Sequence, residues 1–196
     1  YGRHVIDEED ISAVEAVLRS NWLTTGPEIA RFEQALAEAT GSRHAVAVSS
    51  GTAALHTMFS AAGIGPGDEV IIPAITFAAT ANAVLYLGAD PVFADVDPGS
   101  LLINPADIQA KIGPHTKAVI PVDFAGQPAD YDAIKTAVTG YDCKILSDAC
   151  HALGASYNGR TVGSVAEAST FSFHPVKIIT TGEGGMAMTN DITLAK

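Results

Sequence analysis

Apolar positions at the start of the chain repeat with the period of a helix. They recur at this spacing between positions 11 and 18, after four consecutive acidic residues, and predict an amphipathic helix with a negatively charged first turn. A loop follows at 21–27. Apolar residues over 29–39 then predict a second helix, which is expected to end before Gly41. Two helices therefore precede the first predicted strand.

From position 45 onward, short apolar runs alternate with segments of helical period. The predicted strands lie at 45–48, 69–72, 91–95, 118–122 and 144–147, and the predicted helices lie at 52–62, 77–87, 105–112 and 131–138. Runs such as Ala-Val-Ile-Pro-Val are apolar on both faces of a strand, which is typical of a parallel sheet covered by helices. The alternation predicts an α/β fold with a mostly parallel sheet and helices on both faces.

The pattern changes after Cys150. Three strand-like segments, at 155–158, 169–173 and 186–189, are joined by glycine-rich turns that leave no room for full helices. We therefore expect the sheet to finish with antiparallel or mixed pairing. With 196 residues, 47% of them hydrophobic, the chain can bury a substantial core in one large domain or two small ones.

Charge and composition narrow the class of protein. The 22 acidic against 11 basic residues give a net charge of -11, which argues against a nucleic acid partner because phosphate backbones are bound by clustered lysine and arginine. No apolar run approaches the roughly 20 residues of a membrane span. Positions 1–10 are charged rather than signal-like, so we expect a cytoplasmic protein without a membrane partner. Only Cys143 and Cys150 are present, which predicts reduced, buried thiols and no disulfide or zinc site.

Small residues at 49–54 form the first of three candidate chemical sites. The segment Ser-Ser-Gly-Thr-Ala-Ala follows a predicted strand and begins a predicted helix. Ligands of open α/β sheets lie where strands end, and the amides at a helix N-terminus bind anions, so this segment is a candidate phosphate cradle. The alternative is an ordinary Ser-Gly-Thr turn that caps the helix.

The other two sites are charged residues in loops. Asp148 follows the strand at 144–147, and an ionised carboxylate there needs a partner such as the N–H of a pyridinium ring; the alternative is a loop or cap residue. Lys177 is the only lysine or arginine inside positions 161–195, in an apolar, glycine-rich stretch. A semi-buried amine has a lowered pKa and can attack an aldehyde, whereas the alternative is a solvated lysine. The nearby His174 is equally compatible with a packing histidine.

Taken in order, four motifs resemble those of the DegT/DnrJ/EryC1/StrS sugar aminotransferase family. They are Ser-Ser-Gly-Thr-Ala-Ala at 49–54, Asp-Ala-Cys-His-Ala-Leu-Gly-Ala at 148–155, Phe-Ser-Phe-His-Pro-Val-Lys at 171–177 and Thr-Gly-Glu-Gly-Gly at 181–185. The likeness extends over nearly the whole chain, including the stretches at 23–27 and 88–97. It implies the type I (aspartate aminotransferase-like) fold of PLP-dependent transferases. It also implies that residues 1–196 form the N-terminal part of the PLP-binding large domain, with the small C-terminal domain outside this chain.

The resemblance implies a role for each candidate residue. Lys177 would form the Schiff base with pyridoxal 5′-phosphate (PLP), and Asp148 would keep the pyridine nitrogen protonated, which makes the ring an electron sink. Phe77, otherwise an ordinary core residue, would lie against the ring, and His151 near its phenolic oxygen. The phosphate would be bound by Thr52, Ala53 and Ser172. Lys177, Asp148 and His151 would be the catalytic residues, and Lys177 would also move a proton between cofactor and substrate carbons.

Within the family, the chain resembles the UDP-4-amino-4,6-dideoxy-N-acetyl-β-L-altrosamine transaminase of the pseudaminic acid pathway. The similar segments are Leu-Ser-Asp at 146–148, His-Ala-Leu-Gly at 151–154 and Val-Asp-Phe-Ala-Gly at 122–126, whereas many relatives have histidine in place of Asp123. The similarity implies transfer of an amino group from L-glutamate to C4 of a UDP-4-keto-6-deoxy-N-acetylhexosamine, by a homodimer with shared active sites. The expected substrate-binding residues are Tyr1, Asn21, Trp22, Leu23 and Thr24.

Several other functions stay open at this point. Perosamine-type and 4-amino-arabinose-type 4-aminotransferases, and 3-aminotransferases of other nucleotide sugars, differ in only a few pocket contacts. A noncatalytic PLP-binding or regulatory protein would share the scaffold, although Lys177 and Asp148 together argue against it. A related PLP dehydratase has histidine in place of Lys177. A nucleotide-binding module without PLP would show Gly-x-Gly-x-x-Gly after its first strand, and this chain does not.

Overall fold

The computed structural model describes residues 4–196, which form nine strands and six α-helices. The strands are β1 His44–Val48, β2 Glu69–Pro73, β3 Asp90–Ala94, β4 Thr116–Val119, β5 Lys144–Asp148, β6 Ser156–Tyr157, β7 Arg160–Thr161, β8 Ala168–Ser172 and β9 Gly185–Thr189. The helices are α1 Glu8–Arg19, α2 Pro27–Thr40, α3 Gly51–Ala61, α4 Ala78–Tyr86, α5 Pro105–Lys111 and α6 Tyr131–Ala137, with a short 3-10 turn at Phe124–Gly126. None of these helices is long and apolar enough to cross a bilayer.

Seven of the described strands form one mixed sheet in the order β1-β9-β8-β5-β4-β2-β3. The pairs from β8 through β5, β4 and β2 to β3 are all parallel. Among these seven strands β9 alone is reversed, because it pairs antiparallel with both β8 and β1. The predicted α/β class, the mostly parallel sheet and its mixed ending are confirmed.

Two strand predictions need correction. The strand predicted at 118–122 ends earlier, at Val119, and only Val122 makes a further isolated bridge, with Asp148. Pro121 lies between these positions and has no N–H to continue the ladder.

The segment predicted as a sheet strand at 155–158 instead forms the separate β6–β7 hairpin. Its two turn residues are Asn158 and Gly159, with φ of 49° and 76°. An Asn-Gly pair at positive φ is the preferred two-residue hairpin turn, so the chain reverses before it can join the large sheet.

The two faces of the sheet carry separate apolar layers. On one face, Val70 and Ile72 of β2 pack with side chains from α3 and α4. On the other, Ile71 packs with side chains from α5 and α6. Successive residues of a strand point to opposite faces, so a continuous apolar strand fills both layers. This confirms the expected helices on both faces and leaves the carboxyl ends of the parallel strands free to build a site.

Candidate active site

A cavity of about 490 Å³ opens at the carboxyl ends of the parallel strands. Its walls come mainly from the segments that follow β1, β2, β4, β5 and β8, which converge at one edge of the sheet. The lining residues are Ser50, Gly51, Thr52, Leu55, Phe77, Ala79, Val122, Phe124, Asp148, Cys150, His151, Ser172, His174, Val176, Lys177 and Glu183. Six of the seven predicted cofactor-binding residues are therefore brought together.

The N-terminus of α3 forms one wall of this cavity. Ser50 is its N-cap, and the Ser50 hydroxyl accepts a hydrogen bond from the Ala53 amide at 3.1 Å. The first intrahelical backbone bond runs from the Ala54 amide to the Ser50 carbonyl. The amides of Gly51 and Thr52 precede it and have no acceptor within the helix, so they are available to an anion.

Gly51 lets this helix end approach the strand β8. A Cβ atom added at Gly51 would lie 2.8 Å from the Ser172 Cβ and 3.2 Å from both the Ser172 Oγ and the Cys150 Sγ. The backbone amide and the Ser172 hydroxyl consequently share one small, polar corner of the cavity. Such a corner suits a phosphate group.

Asp148 is the last residue of β5, and only 5% of it is exposed. Its Oδ2 accepts a hydrogen bond of 2.8 Å from the hydroxyl of Thr80, in the first turn of α4. Its Oδ1 accepts a bond of 3.2 Å from the Cys150 amide. The carboxylate is thus held between α4 and the loop after β5, at the wall of the cavity. A buried carboxylate in this setting is an acceptor for a cationic N–H.

A second buried carboxylate, Asp123, lies on the opposite face of β5. Its side chain is within 2.9 Å of the Tyr131 hydroxyl and the Ala129 amide, and the Ser147 hydroxyl donates to it at 3.1 Å. Burial raises the pKa of Asp123 to about 6; the three hydrogen bonds oppose this rise, and the charge of Asp148 adds to it. Burial, with the charge of Asp123, also raises the pKa of Tyr131, so Tyr131 remains a phenol.

Lys177 and His151 come from two different loops. Lys177 follows β8 in a turn whose backbone bond joins its amide to the His174 carbonyl at 2.8 Å, and its side chain is partly buried. His151 follows Asp148 and is also partly buried, with its ring 6.1 Å from that of Phe124. Burial, and then the charge of Lys177, lowers the pKa of His151 against the opposing effect of Asp148. The imidazole is therefore neutral at pH 7.

The remaining predicted cofactor residues differ in their access to the cavity. Phe77 is the N-cap of α4, and with 73% of its surface exposed it presents a flat apolar face to a planar ligand. Thr52 and Ser172 also line the cavity, whereas Ala53 does not. The Ala53 amide bonds the capping Ser50 hydroxyl, so Ala53 contributes to the cap rather than to the wall.

The predicted substrate-binding residues are not part of this cavity. Asn21, Trp22, Leu23 and Thr24 form the exposed loop between α1 and α2, and Trp22 lines a separate small groove with Pro27. Tyr1 lies outside the described residues. Their role in binding stays a prediction.

Several residues at the site were not predicted from the sequence, and three of them matter most for its geometry. Thr80 contacts Asp148, while Phe124 and Cys150 line the cavity. Thr80 lies in a helix of small apolar residues, where it is indistinguishable from a core position. Cys150 lies two residues after Asp148, and Phe124 lies two residues after the bridging Val122. Their nearness to predicted strand ends was the available signal.

Comparison with known proteins identifies a family match and similar proteins for this chain. The profile of the DegT/DnrJ/EryC1/StrS aminotransferase family matches residues 4–196. The chain is 46% identical to the spore coat polysaccharide biosynthesis protein SpsC of Bacillus subtilis, over 100% of this chain and 50% of that protein.

Two solved structures are similar over almost the whole chain. One is the Streptococcus pneumoniae protein Spr1654 in its PLP form, with a TM-score of 0.94 and 34% identity over 99% of this chain and 53% of that one. The other is Helicobacter pylori PseC, an aminotransferase involved in the biosynthesis of pseudoaminic acid, with a TM-score of 0.93 and 38% identity over 100% of this chain and 53% of that one. The chain spans about half the length of these relatives.

Proposed function

The chain belongs to the DegT/DnrJ/EryC1/StrS aminotransferase family, and from this premise we propose that it forms the PLP-binding part of an aminotransferase that acts on a nucleotide-linked sugar. The observation that carries the proposal is the single cavity that joins Asp148, Lys177, Phe77 and the N-terminus of α3. Each of these groups suits a different part of PLP. The similarity to Spr1654, whose structure is a PLP form, supports the same cofactor.

The cavity fits PLP at both ends of the molecule. Asp148 is a buried acceptor for the protonated ring nitrogen, and Phe77 offers an exposed aromatic face for the ring. The phosphate would be bound by the Gly51 and Thr52 amides with the Ser172 hydroxyl, in the corner that a Cβ at Gly51 would fill. Lys177 lies in the same cavity and supplies the amine that attaches the cofactor. When bound, PLP supplies an electron sink for the carbon that carries the amino group.

Side chains of the cavity would orient the cofactor and move protons during the reaction. The Lys177 Nζ atom would act as base and as acid by exchanging a proton with the reacting carbon. His151 is neutral at pH 7, because burial and Lys177 lower its pKa, so it can donate or accept a hydrogen bond at the cofactor's phenolic oxygen without adding a charge. The Asp148 carboxylate would accept a hydrogen bond from the ring nitrogen, and Thr80 donates to its Oδ2 atom from α4.

For the substrate, we propose a UDP-4-keto-6-deoxy-N-acetylhexosamine that receives its amino group at C4, with L-glutamate as the donor. The likeness to PseC, at 38% identity over the whole chain, supports this choice. The likeness to SpsC supports the broader class of enzymes for amino sugars of polysaccharides. A few pocket contacts decide which sugar is bound and which carbon is aminated. Analysis of the product would therefore distinguish amination at C4 of this sugar from amination at C3 of another nucleotide sugar.

We further propose that the protein acts as a homodimer with shared active sites. The loop at 21–24 is exposed and lies outside the cavity of its own chain, so a partner's loop is free to complete it. Apolar side chains of α1 are also uncovered; Val14 is 61% and Leu18 65% exposed, and none of the α1 residues is buried. An uncovered apolar helix face is a usual interface between subunits.

The test is attachment of PLP to Lys177. The protein is mixed with PLP, its absorbance spectrum is recorded, and borohydride reduction followed by peptide mass spectrometry locates the modified residue. We expect the adduct on Lys177, its absence in Lys177→Ala, and an unchanged adduct in Lys135→Ala, a lysine on α6 that does not line the cavity. L-glutamate should bleach the visible band. An unmodified Lys177 in the folded protein would refute the proposed function.

A further inference from the structure

One contact to Asp148 comes from outside the cavity. Thr80 is fully buried and is not part of the cavity wall, yet its Oγ1 lies 2.8 Å from the Asp148 Oδ2. It can reach bound PLP only through this carboxylate. The two residues are 68 positions apart in the sequence, so the contact depends on how the fold places the first turn of α4 beside the end of β5.

The hydrogen bonds of Thr80 have a defined direction. The Thr76 Oγ1 lies 2.7 Å from the Thr80 Oγ1, and either atom can be the donor by geometry alone. A threonine hydroxyl has one hydrogen, and an ionised carboxylate only accepts. Thr80 therefore donates to Asp148 and accepts from Thr76. A row of hydroxyls aligned in this way strengthens the final bond to the carboxylate.

This row restricts the rotation of the carboxylate. With Oδ2 bonded to Thr80 and Oδ1 bonded to the Cys150 amide, both oxygens of Asp148 are fixed relative to the backbone. Removal of the Thr80 hydroxyl would leave Oδ2 against an apolar helix and free the group to turn. Phe77 lies between Thr76 and Thr80, so one short segment carries both this row of hydroxyls and the exposed aromatic ring.

We propose that Thr80 is a positioning residue of the cofactor site, whose hydroxyl orients the Asp148 carboxylate toward the ring nitrogen of PLP. The proposal rests on the proposed function. Hydrogen bonds to charged groups are among the stronger ones in proteins, so loss of this bond should weaken PLP binding by about ten-fold. The bound cofactor should also show a weaker visible band, because protonation of the ring nitrogen is less favoured.

The experiment compares PLP dissociation constants and spectra of four proteins at one pH. Thr80→Val removes the hydroxyl at nearly constant volume, and Thr80→Ser keeps it. Thr40→Val is the matched control, because Thr40 is also buried, at 1% exposed, but its hydroxyl bonds the Leu36 carbonyl within α2. If Thr80→Val does not fold, Thr80→Ala removes the same hydroxyl without placing a methyl group against the carboxylate.

The expected result is weak binding and an altered spectrum in Thr80→Val, recovery of most of the affinity in Thr80→Ser, and wild-type binding in Thr40→Val. Wild-type affinity in Thr80→Val, or equal losses in the valine and serine variants, would overturn the role of the hydroxyl while the proposed function stands. If the wild-type protein itself leaves Lys177 unmodified by PLP and borohydride, both proposals fall together.

Discussion

The buried carboxyl of Asp123 should make the stability of this protein depend on pH. Asp123 is fully buried, and burial raises its pKa from 3.8 to about 6 in spite of three hydrogen bonds. Because the pKa in the folded protein lies above the unfolded value, protonation stabilises the fold. The contribution is complete below pH 3.8 and is lost as the pH rises through 6. Asp123→Asn mimics the protonated group at every pH.

The size of the effect follows from the two pKa values. A rise from 3.8 to about 6 corresponds to about 3 kcal/mol in the free energy of unfolding. The asparagine amide can still accept from Ala129 and Tyr131 and donate to Ser147, so the network stays satisfied. We therefore expect Asp123→Asn to gain stability relative to the wild type as pH rises, most steeply between about pH 4 and 7.

Urea unfolding at a series of pH values measures this difference directly. Asp142→Asn is the matched control, because it makes the same change in net charge at an exposed position. The free energy difference between Asp123→Asn and the wild type should grow with pH and level off above about pH 7. A difference that stays constant from acid to neutral pH would show that Asp123 does not take up a proton on folding, and would refute the reasoning.

Three further predictions concern the cavity. Gly51→Ala should weaken PLP binding by about ten-fold in equilibrium titrations, because the added Cβ would lie 2.8 Å from the Ser172 Cβ. Gly65→Ala, whose added Cβ would meet nothing within 4 Å, should bind PLP normally. Equal binding by both variants would contradict the proposed phosphate cradle at Gly51. His151 should titrate below its usual value of 6.5 in NMR spectra, since burial lowers its pKa, and a midpoint above 6.5 would contradict this. Burial and Asp148 raise the pKa of Cys150 well above its usual range, so its thiol should react with disulfide reagents much more slowly at pH 8 than a free cysteine; an equal rate would refute the protonated state.

The layered fold could be predicted from the sequence because its signal is local. Apolar runs such as the one in β2 fill both faces of a parallel sheet, and this periodicity is visible without any knowledge of the partners. The early end of β4 and the β6–β7 hairpin depended on Pro121 and the Asn158-Gly159 turn. These residues are visible in the sequence, but the pattern of the residues around them favoured a longer strand at 118–122 and a sheet strand at 155–158. The cytoplasmic location stays a prediction.

The site was predictable only in part, because motifs identify residues but not the contacts behind them. Asp148 and Lys177 stand out as charged groups in apolar stretches, and the structure brings both to the same cavity. Thr80 gives no such signal, since a threonine in an apolar helix is compatible with a core position until its hydrogen bond to Asp148 is known. The same holds for Asp123, whose buried network joins residues from three separate segments.

The two buried carboxylates are linked by the backbone as well as by charge. Asp123 donates its amide to the Asp148 carbonyl at 3.0 Å, and the Asp148 amide donates to the Pro121 carbonyl at 2.9 Å. Neighbouring residues of β5 point to opposite faces, so Ser147 serves the Asp123 network while Asp148 faces the cavity. The network therefore fixes the backbone of Asp148 from one face, and Thr80 fixes its carboxylate from the other. Changes to Asp123 should act mainly on stability, whereas changes to Thr80 should act mainly on the cofactor.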